Sequence, residues 1–533
     1  MKTLKIFFGS LLFIAITGCG SSGGDDSSSG GDEKVQVTDF SDPAVINDYD
    51  VKTVGLDATS KSLKLPSANT KAFSSKDEST FPFIWIANSG ESTISKIDVN
   101  TGDELGRYKT GPAGSTWTYN PSRTTVDQDG NVWVGNRGGK TVTKIGLKEW
   151  DQCIDRNGNG VIDTSTGGTD VRDWTGSKED GLGVANAEDE CILQHVILTK
   201  DGLTADAVRL VAIDVDNNLI AGGSSSNAIF KVNPVTGVII SAAATSKSHY
   251  GGVVDKHGNI WSMPSNHDGT VQKISGDFSK NEVISLGHNG YGIAIDKYGK
   301  VWTTEIWGNR FSTFDPADPV GSLQVFTQTD SSSAQGIATD GNGDVFIAGS
   351  LGGSTVGHYR QKFDANGNFT GITFVANYTV GSGPTGVAVD GNGLVWSSNY
   401  YDSSVSRIDP VSGDVDTYPV GLNPYNYSDM TGNVVRNITK RQGTWEATFD
   451  SEENDYAWIK VAWALKVALP KGTSVEVFVK AANEKIALNG EIYKEIENAK
   501  DLVDIKGRYL KVKVQLASDD LISTPEVTEV SVF

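Results

Sequence analysis

The chain of 533 residues carries 46 basic and 66 acidic side chains, a formal charge of −20, together with 61 glycines. That charge repels a phosphate backbone and no basic stripe offsets it locally, which excludes nucleic acid as a partner. Length alone allows about three to four domains at roughly 150 residues each, but short apolar runs between glycines point to mostly β structure built from repeats.

The first residues, MKTLKIFFGSLLFIAITGC, place Lys2 and Lys5 before an apolar core from Ile6 to Ile16. This core is too short to span a membrane and reads as a secretory signal. Ile16-Thr17-Gly18-Cys19 resembles a bacterial lipobox, which implies cleavage before Cys19 and lipidation of that cysteine. Gly20, rather than Asp, favours the outer membrane of the cell envelope, with membrane contact through the lipid anchor only. Residues 20–45 open with GSSGGDDSSSGGDEK, offer little to bury, and are expected to be a flexible tether. With Cys19 modified, Cys153 and Cys191 remain as an even pair in an oxidising compartment and are predicted to form a disulfide.

The body, assigned to residues 46–437, repeats a unit in which one strand ends in Asp, a turn follows, and a second strand carries Trp. The repeat aspartates are Asp127, Asp214, Asp255, Asp296, Asp340 and Asp390, at intervals of 87, 41, 41, 44 and 50. A period near 40–45 with several strands per unit is the pattern of a β-propeller. Turns such as Asp129-Gly130-Asn131 and Gly391-Asn392-Gly393 supply the positive φ of tight hairpins. Trp-position strands at Trp85, Trp133, Ile220, Trp261, Trp302, Phe346 and Trp396 count seven blades. Recurrence of Trp at one repeat position makes it a packing residue between blades. The first unit lacks its inner strand, and Thr431 to Val435 within 424–439 is predicted to return and complete it, which removes a sheet edge.

The 87-residue interval holds an insertion at about 149–204, placed after blade two. It contains CIDRNGNGVID, in which Asp155, Asn157, Asn159 and Asp163 fall at positions 1, 3, 5 and 9 of a calcium loop, with Gly160 at 6 and the Val161 carbonyl at 7. Position 12 is Thr166, so a further ligand is sought in Asp170, Asp173 or Glu188-Asp189-Glu190. The expected cofactor is a structural calcium ion that braces the loop. Beyond 438 the alternating SVEVFVKA, RYLKVKVQL and VTEVSVF predict a β-sandwich over 438–533, with EIYKEIENAKDLV as a short helical crossover.

The pattern in GIAIDKYGKVWTTE resembles the seven-bladed propellers of the streptogramin (virginiamycin B) lyase group and related NHL-repeat proteins, over about residues 81–437. The resemblance implies the all-β propeller fold; for activity it implies a lactone-opening lyase with magnesium near the axis, held by His and Glu. Glu305 sits where such a glutamate would, but the family's histidine positions hold Tyr250, Tyr291, Gln335 and Thr385, with His249 and His288 displaced. An elimination needs both ligands and a base.

Residues three after the repeat Trp point to the top of the ring. Asn88, Asn136, Glu305 and Asn399, with Arg123, Tyr250, Tyr291 and Gln335 from strand starts, are therefore expected to form a polar mouth with aromatic rims. Trp307 is out of register and is the candidate for exposed recognition. Such a mouth suits a non-catalytic binder of a polysaccharide, a peptide or an envelope protein. The alternative is a metal-assisted enzyme centred on Glu305, testable by whether His249, His288 and another acid converge on it.

Overall fold

A computed structural model of the chain describes residues 36–39, 50–52, 55–57, 62–64, 81–112, 119–176, 183–330, 332–432, 441–470, 473–491, 493–518 and 524–533. Cys19 and the signal lie outside the described residues. Seven antiparallel sheets follow one another around a ring. The first has three strands, Phe83–Asn88, Thr93–Asp98 and Glu104–Lys109; the second has four, Pro121–Val126, Val132–Asn136, Thr141–Ile145 and Ile192–Ile197. Blades three to seven, each four-stranded, cover 208–244, 251–285, 290–327, 333–379 and 384–419. The fold is the all-β, seven-bladed propeller that the repeat predicts.

The repeat aspartate explains why each unit folds as it does. Asp296 Oδ1 accepts the turn N–H groups of Tyr298 and Lys300, both at 2.9 Å, while Oδ2 accepts the Trp302 indole N–H at 2.8 Å. Asp255 and Asp390 hold Trp261 and Trp396 in the same way, at 2.9 and 2.8 Å. In blades two and three the second partner is a lysine, Lys144 on Asp127 and Lys231 on Asp214. Gly130 and Gly393 take φ of 82° in these turns, a conformation that a side chain disfavours. The carboxylate thus ties the hairpin to the interblade packing residue. Trp85, Trp133, Trp261, Trp302 and Trp396 are all buried, and truncating one costs about 3–5 kcal/mol.

Ring closure uses a stretch slightly upstream of the expected one. Residues 424–430 run beside Phe83–Asn88: Asn88 bridges Pro424, Tyr425 N–H donates to the Ala87 carbonyl at 3.0 Å, and Trp85 N–H donates to the Met430 carbonyl at 3.0 Å. Within the stretch the Asn426 side chain donates to the Trp85 carbonyl and Ser428 Oγ to the Thr124 carbonyl of blade two. Residues 433–435 lie outside the described residues.

Three further expectations need correction. The insertion ends near Cys191, not 204, and sits inside blade two, because Ile192–Ile197 pairs with Thr141–Ile145 as the outer strand; 199–204 is a small hairpin. Residues 494–496 form a strand on Thr473–Ala482 in place of the helical crossover; the preceding turn, Lys485–Gly490, is 3-10. The third concerns the domain boundaries at 45 and 438. Gln36–Asp39 and Ser62–Lys64 pair with Val527–Val532, and Asp50–Lys52 pairs with Arg441–Asp450, so segments assigned to the tether and propeller belong to the C-terminal sandwich. Its two five-stranded sheets enclose Leu63, Trp445, Val461, Val512 and Val530. Strands of three or four residues are too short to show a period-two pattern, which is why this pairing was not legible.

Candidate functional site at the propeller mouth

The starts of the inner strands carry bulky polar side chains that meet at one end of the axis. Tyr250 and Tyr291, predicted for this rim, contact each other with ring centroids 5.0 Å apart and hydroxyls at 3.0 Å. Tyr425 and Tyr427, alternate residues of the closing stretch, complete the group: the Tyr427 hydroxyl lies 2.7 Å from that of Tyr250 and 2.9 Å from that of Tyr425, which in turn bonds Tyr291.

Two arginines lie among these rings. Arg123, predicted, donates Nη1 to the Tyr427 carbonyl at 2.6 Å and Nη2 to the Tyr250 carbonyl at 3.0 Å, with its guanidinium 3.6 Å from the Tyr427 ring centroid. Arg209, not foreseen, stacks 3.9 Å from the Tyr250 ring centroid and donates Nη2 to the Tyr427 hydroxyl. The signal for it was present: Arg209 stands five residues before Asp214, as Tyr250 does before Asp255 and Tyr291 before Asp296.

An aromatic string crosses the mouth. Trp307 packs on His267, whose ring meets Tyr250 and Tyr291; Tyr425 meets Tyr400, which meets Tyr401. Both ends face solvent, Trp307 at 70% exposure and Tyr401 at 61%. Below the mouth, the axis is lined by inner-strand residues such as Val211, Val253, Ile293 and Val387 and leaves a cavity of about 40 Å³, room for a few waters only. Nothing larger than a few waters therefore fits down the channel.

Other expected site residues play different parts. Asn88, Asn136 and Asn399 do not face the axis. Each donates Nδ2 to hydroxyls five and seven residues on: Asn88 to Thr93 and Ser95, Asn136 to Thr141 and Thr143, Asn399 to Ser404 and Ser406. They pin the second strand to the third, a pattern readable as Asn-x4-Ser/Thr-x-Ser/Thr. Gln335 is buried and its side-chain carbonyl has no hydrogen-bond partner among the described residues.

Glu305 is clamped by Arg310, Oε2 to Nε at 2.8 Å and Oε1 to Nη2 at 2.6 Å. Burial opposes its ionisation, but the Arg310 pairing outweighs that and holds the carboxyl below its usual range. His249 bonds Ser262 and Thr245 through its two nitrogens, each at 2.9 Å, and burial pushes it down to about 3. His288 bonds Ser312 at 2.8 Å. These three side chains are spent on separate partners and do not converge with another acid.

No family model matches this chain, and no curated protein does. Among solved structures, virginiamycin B lyase from Staphylococcus aureus is similar at 15% identity and a TM-score of 0.40, covering 57% of this chain and 87% of that one. A streptogramin B lyase structure matches at 12% and 0.42, over 68% and 94%. A functionally unknown protein from Desulfotomaculum acetoxidans matches at 14% and 0.46, over 65% and 98%. The likeness is one of propeller fold.

A second cluster lies in the insertion. Cys153 and Cys191 are disulfide-bonded, Cα atoms 4.4 Å apart. In the loop, Asp155 accepts the N–H groups of Gly158 and Gly160, and Asn157 and Asn159 each donate Nδ2 to Asp163 Oδ2, at 2.8 and 2.9 Å. Those amide hydrogen bonds hold the Asp163 carboxyl below its usual range. Asp155, Asn157, Asn159 and Asp163 are thus gathered on one turn, with Val161 exposed beside them. Of the acids expected to help, Glu190 adjoins the loop, accepting N–H from Arg156 and Asp163, both at 2.8 Å. Asp189 is buried on Thr164, Ser165 and Cys191, and burial raises its pKa. Asp170 and Asp173 turn away, to Thr166 and Lys109. The insertion also reaches blade one: Lys96 pairs with Glu149 at 2.7 Å, and Arg107 N–H donates to Ser165 Oγ at 2.8 Å.

Proposed function

We propose that this is a lipid-anchored envelope protein whose propeller mouth binds a saccharide chain without chemistry on it. The observation that carries the reading is the aromatic string from Trp307 to Tyr401, exposed at both ends and buried in the middle at Tyr250 and Tyr291, since the faces of such rings stack on sugar rings while hydroxyls and guanidinium groups supply the few polar contacts that fix orientation. A peptide or envelope-protein partner is the other occupant of the same mouth. The lyase reading with axial magnesium gains no support, because Glu305 is committed to Arg310 and His249 to two hydroxyls.

The calcium loop serves this function indirectly. An ion held by Asp155, Asn157, Asn159, Asp163 and the Val161 carbonyl would take over the role that the two asparagine N–H groups play toward Asp163, and would stiffen a segment that joins blade two to blade one.

The test is an array of envelope saccharides and of peptides, probed with the detergent-solubilised chain and with Trp307→Ala and Tyr401→Ala. Saccharide binding that falls in both variants is expected. Binding to peptides alone, or saccharide binding unchanged in both variants, overturns the reading.

A further inference from the structure

We propose that the mouth recognises the carboxylate of an acidic sugar, a uronate unit in the bound saccharide, and that Arg209 is the cation that receives it. This rests on the saccharide reading and adds the chemical class.

The contrast among arginines carries it. Arg107, Arg310, Arg360, Arg407 and Arg508 each pair with an Asp or Glu carboxylate. Arg123, Arg209, Arg137 and Arg156 do not among the described residues; the last two are partly exposed, whereas Arg123 and Arg209 are almost wholly buried, at 1% and 5% exposure. A buried guanidinium with no carboxylate beside it is costly, and at Arg209 the Tyr425 hydroxyl offsets that cost only once it ionises, so its retention asks what the charge is for. Arg123 is accounted for: two backbone carbonyls and a tyrosine face hold it in place, and it acts as the floor of the mouth. Arg209 has a tyrosine face as well, Tyr250, but no backbone carbonyl: among the described residues its hydrogen bonding is one bond from Nη2 to the Tyr427 hydroxyl, and its Nε is buried with no partner.

The ligand's shape follows from the surroundings. A planar carboxylate matches a guanidinium with two donors to give. Arg209 keeps only 5% exposure beneath the rings, so only a small group can reach it while the rest of the ligand lies on the aromatic string. A pyranose bearing a carboxylate at C5 has that form: a flat face to stack and one charged arm. In a chain whose formal charge is −20, two neighbouring buried cations at the mouth also mark a place where an acidic polymer is attracted.

The test compares oligogalacturonate with its methyl ester, the same sugar without the charge, by titration calorimetry on the detergent-solubilised chain. The acid is expected to bind about tenfold or more tightly, the scale of a charge-assisted hydrogen-bonded pair. Arg209→Gln is expected to lower the acid's affinity to that of the ester, and Arg209→Lys to restore part of the difference. Equal affinity for acid and ester in the unmodified chain overturns the uronate inference and leaves the saccharide reading standing. A preference for the acid that survives in folded Arg209→Gln overturns the role of Arg209. Should Arg209→Gln fail to fold, the acid and ester comparison and Arg209→Lys decide. If neither sugar binds and the saccharide array is blank, both readings fall.

Discussion

The tyrosine cluster should carry one phenolate near neutral pH, and the charge should be on Tyr425. Burial opposes its ionisation, but the Arg209 guanidinium and hydrogen bonds from Tyr250, Tyr291 and Tyr427 outweigh burial and pull this phenol down to about 7. The other three hydroxyls are pushed up, by burial first and then by their tyrosine neighbours, so a single proton leaves the group. Arg209 moves in the complementary direction, its charge favoured by the tyrosines in spite of burial. An unfolded tyrosine ionises near 10, and each unit of difference is worth about 1.4 kcal/mol. A folded value below the unfolded one means the stabilisation is absent below pH about 7, grows as pH rises, and is complete above about 10. At pH about 8.5 it amounts to roughly 2 kcal/mol. The perturbation is Tyr425→Phe. Native-state ultraviolet titration should show the absorbance of one tyrosinate appearing around pH 7 in the parent and missing in the variant. Urea unfolding should show the gap between parent and variant widening by about 2 kcal/mol from pH 6 to 8.5. A parent with no tyrosinate below about pH 9, and parallel stability curves, would refute the reasoning.

Three other outcomes are expected. Uronate affinity should fall as pH rises from 6 to 8 in calorimetric titrations, because the Tyr425 phenolate competes for Arg209; of the groups that face it, Arg123 and Arg137 are the other cations, burial keeps His267 neutral, and Tyr250, Tyr291 and Tyr427 stay protonated, so Tyr425→Phe should flatten the profile. Asn136→Ala should lower unfolding stability by about 1–3 kcal/mol, since it removes a buried donor from the Thr141 and Thr143 hydroxyls and leaves the Thr110 carbonyl with Thr143 Oγ1 alone, while saccharide affinity is unchanged; a loss of affinity in the folded variant would return Asn136 to the ligand site. Chelation should lower the melting temperature and open residues 150–200 to protease, and calcium should reverse both; indifference to chelator would remove the ion from the brace.

Legibility tracked repetition. Asp296 and Trp302 recur with their spacing in other blades, so the turn, the packing residue and the seven-fold ring could be read directly, and the pairing of Cys153 with Cys191 followed from counting. The mouth was half readable. Arg123, Tyr250 and Tyr291 occupy strand starts that the repeat locates, yet the repeat also suggested that Asn88, Asn136 and Asn399 look toward the axis. Their side chains are instead drawn sideways by hydroxyls five and seven residues on, a local hydrogen-bonding opportunity that a count of blade positions ignores. Tyr425 and Tyr427 were invisible for the opposite reason: they belong to the one inner segment that departs from the repeat. His267 lies in a loop, at a φ of 52°, where no periodicity applies.

That departure links closure of the ring to its function. The segment 424–430 crosses back to blade one by pairing with Phe83–Asn88, and the same alternation that turns Asn426 toward Trp85 turns Tyr425 and Tyr427 toward Arg209 and Arg123. Four tyrosines can share their hydroxyls only once residues more than 130 positions apart in the chain have met, so the mouth exists only in the closed ring. Blade one, the blade that is completed last, is also the one gripped from outside by the insertion through Lys96–Glu149, Lys109–Asp173 and Ser165. On the proposed reading the disulfide and the calcium loop act on the ligand site at a distance: whatever loosens 153–191 loosens the seam, and the seam carries two of the four clustered tyrosines.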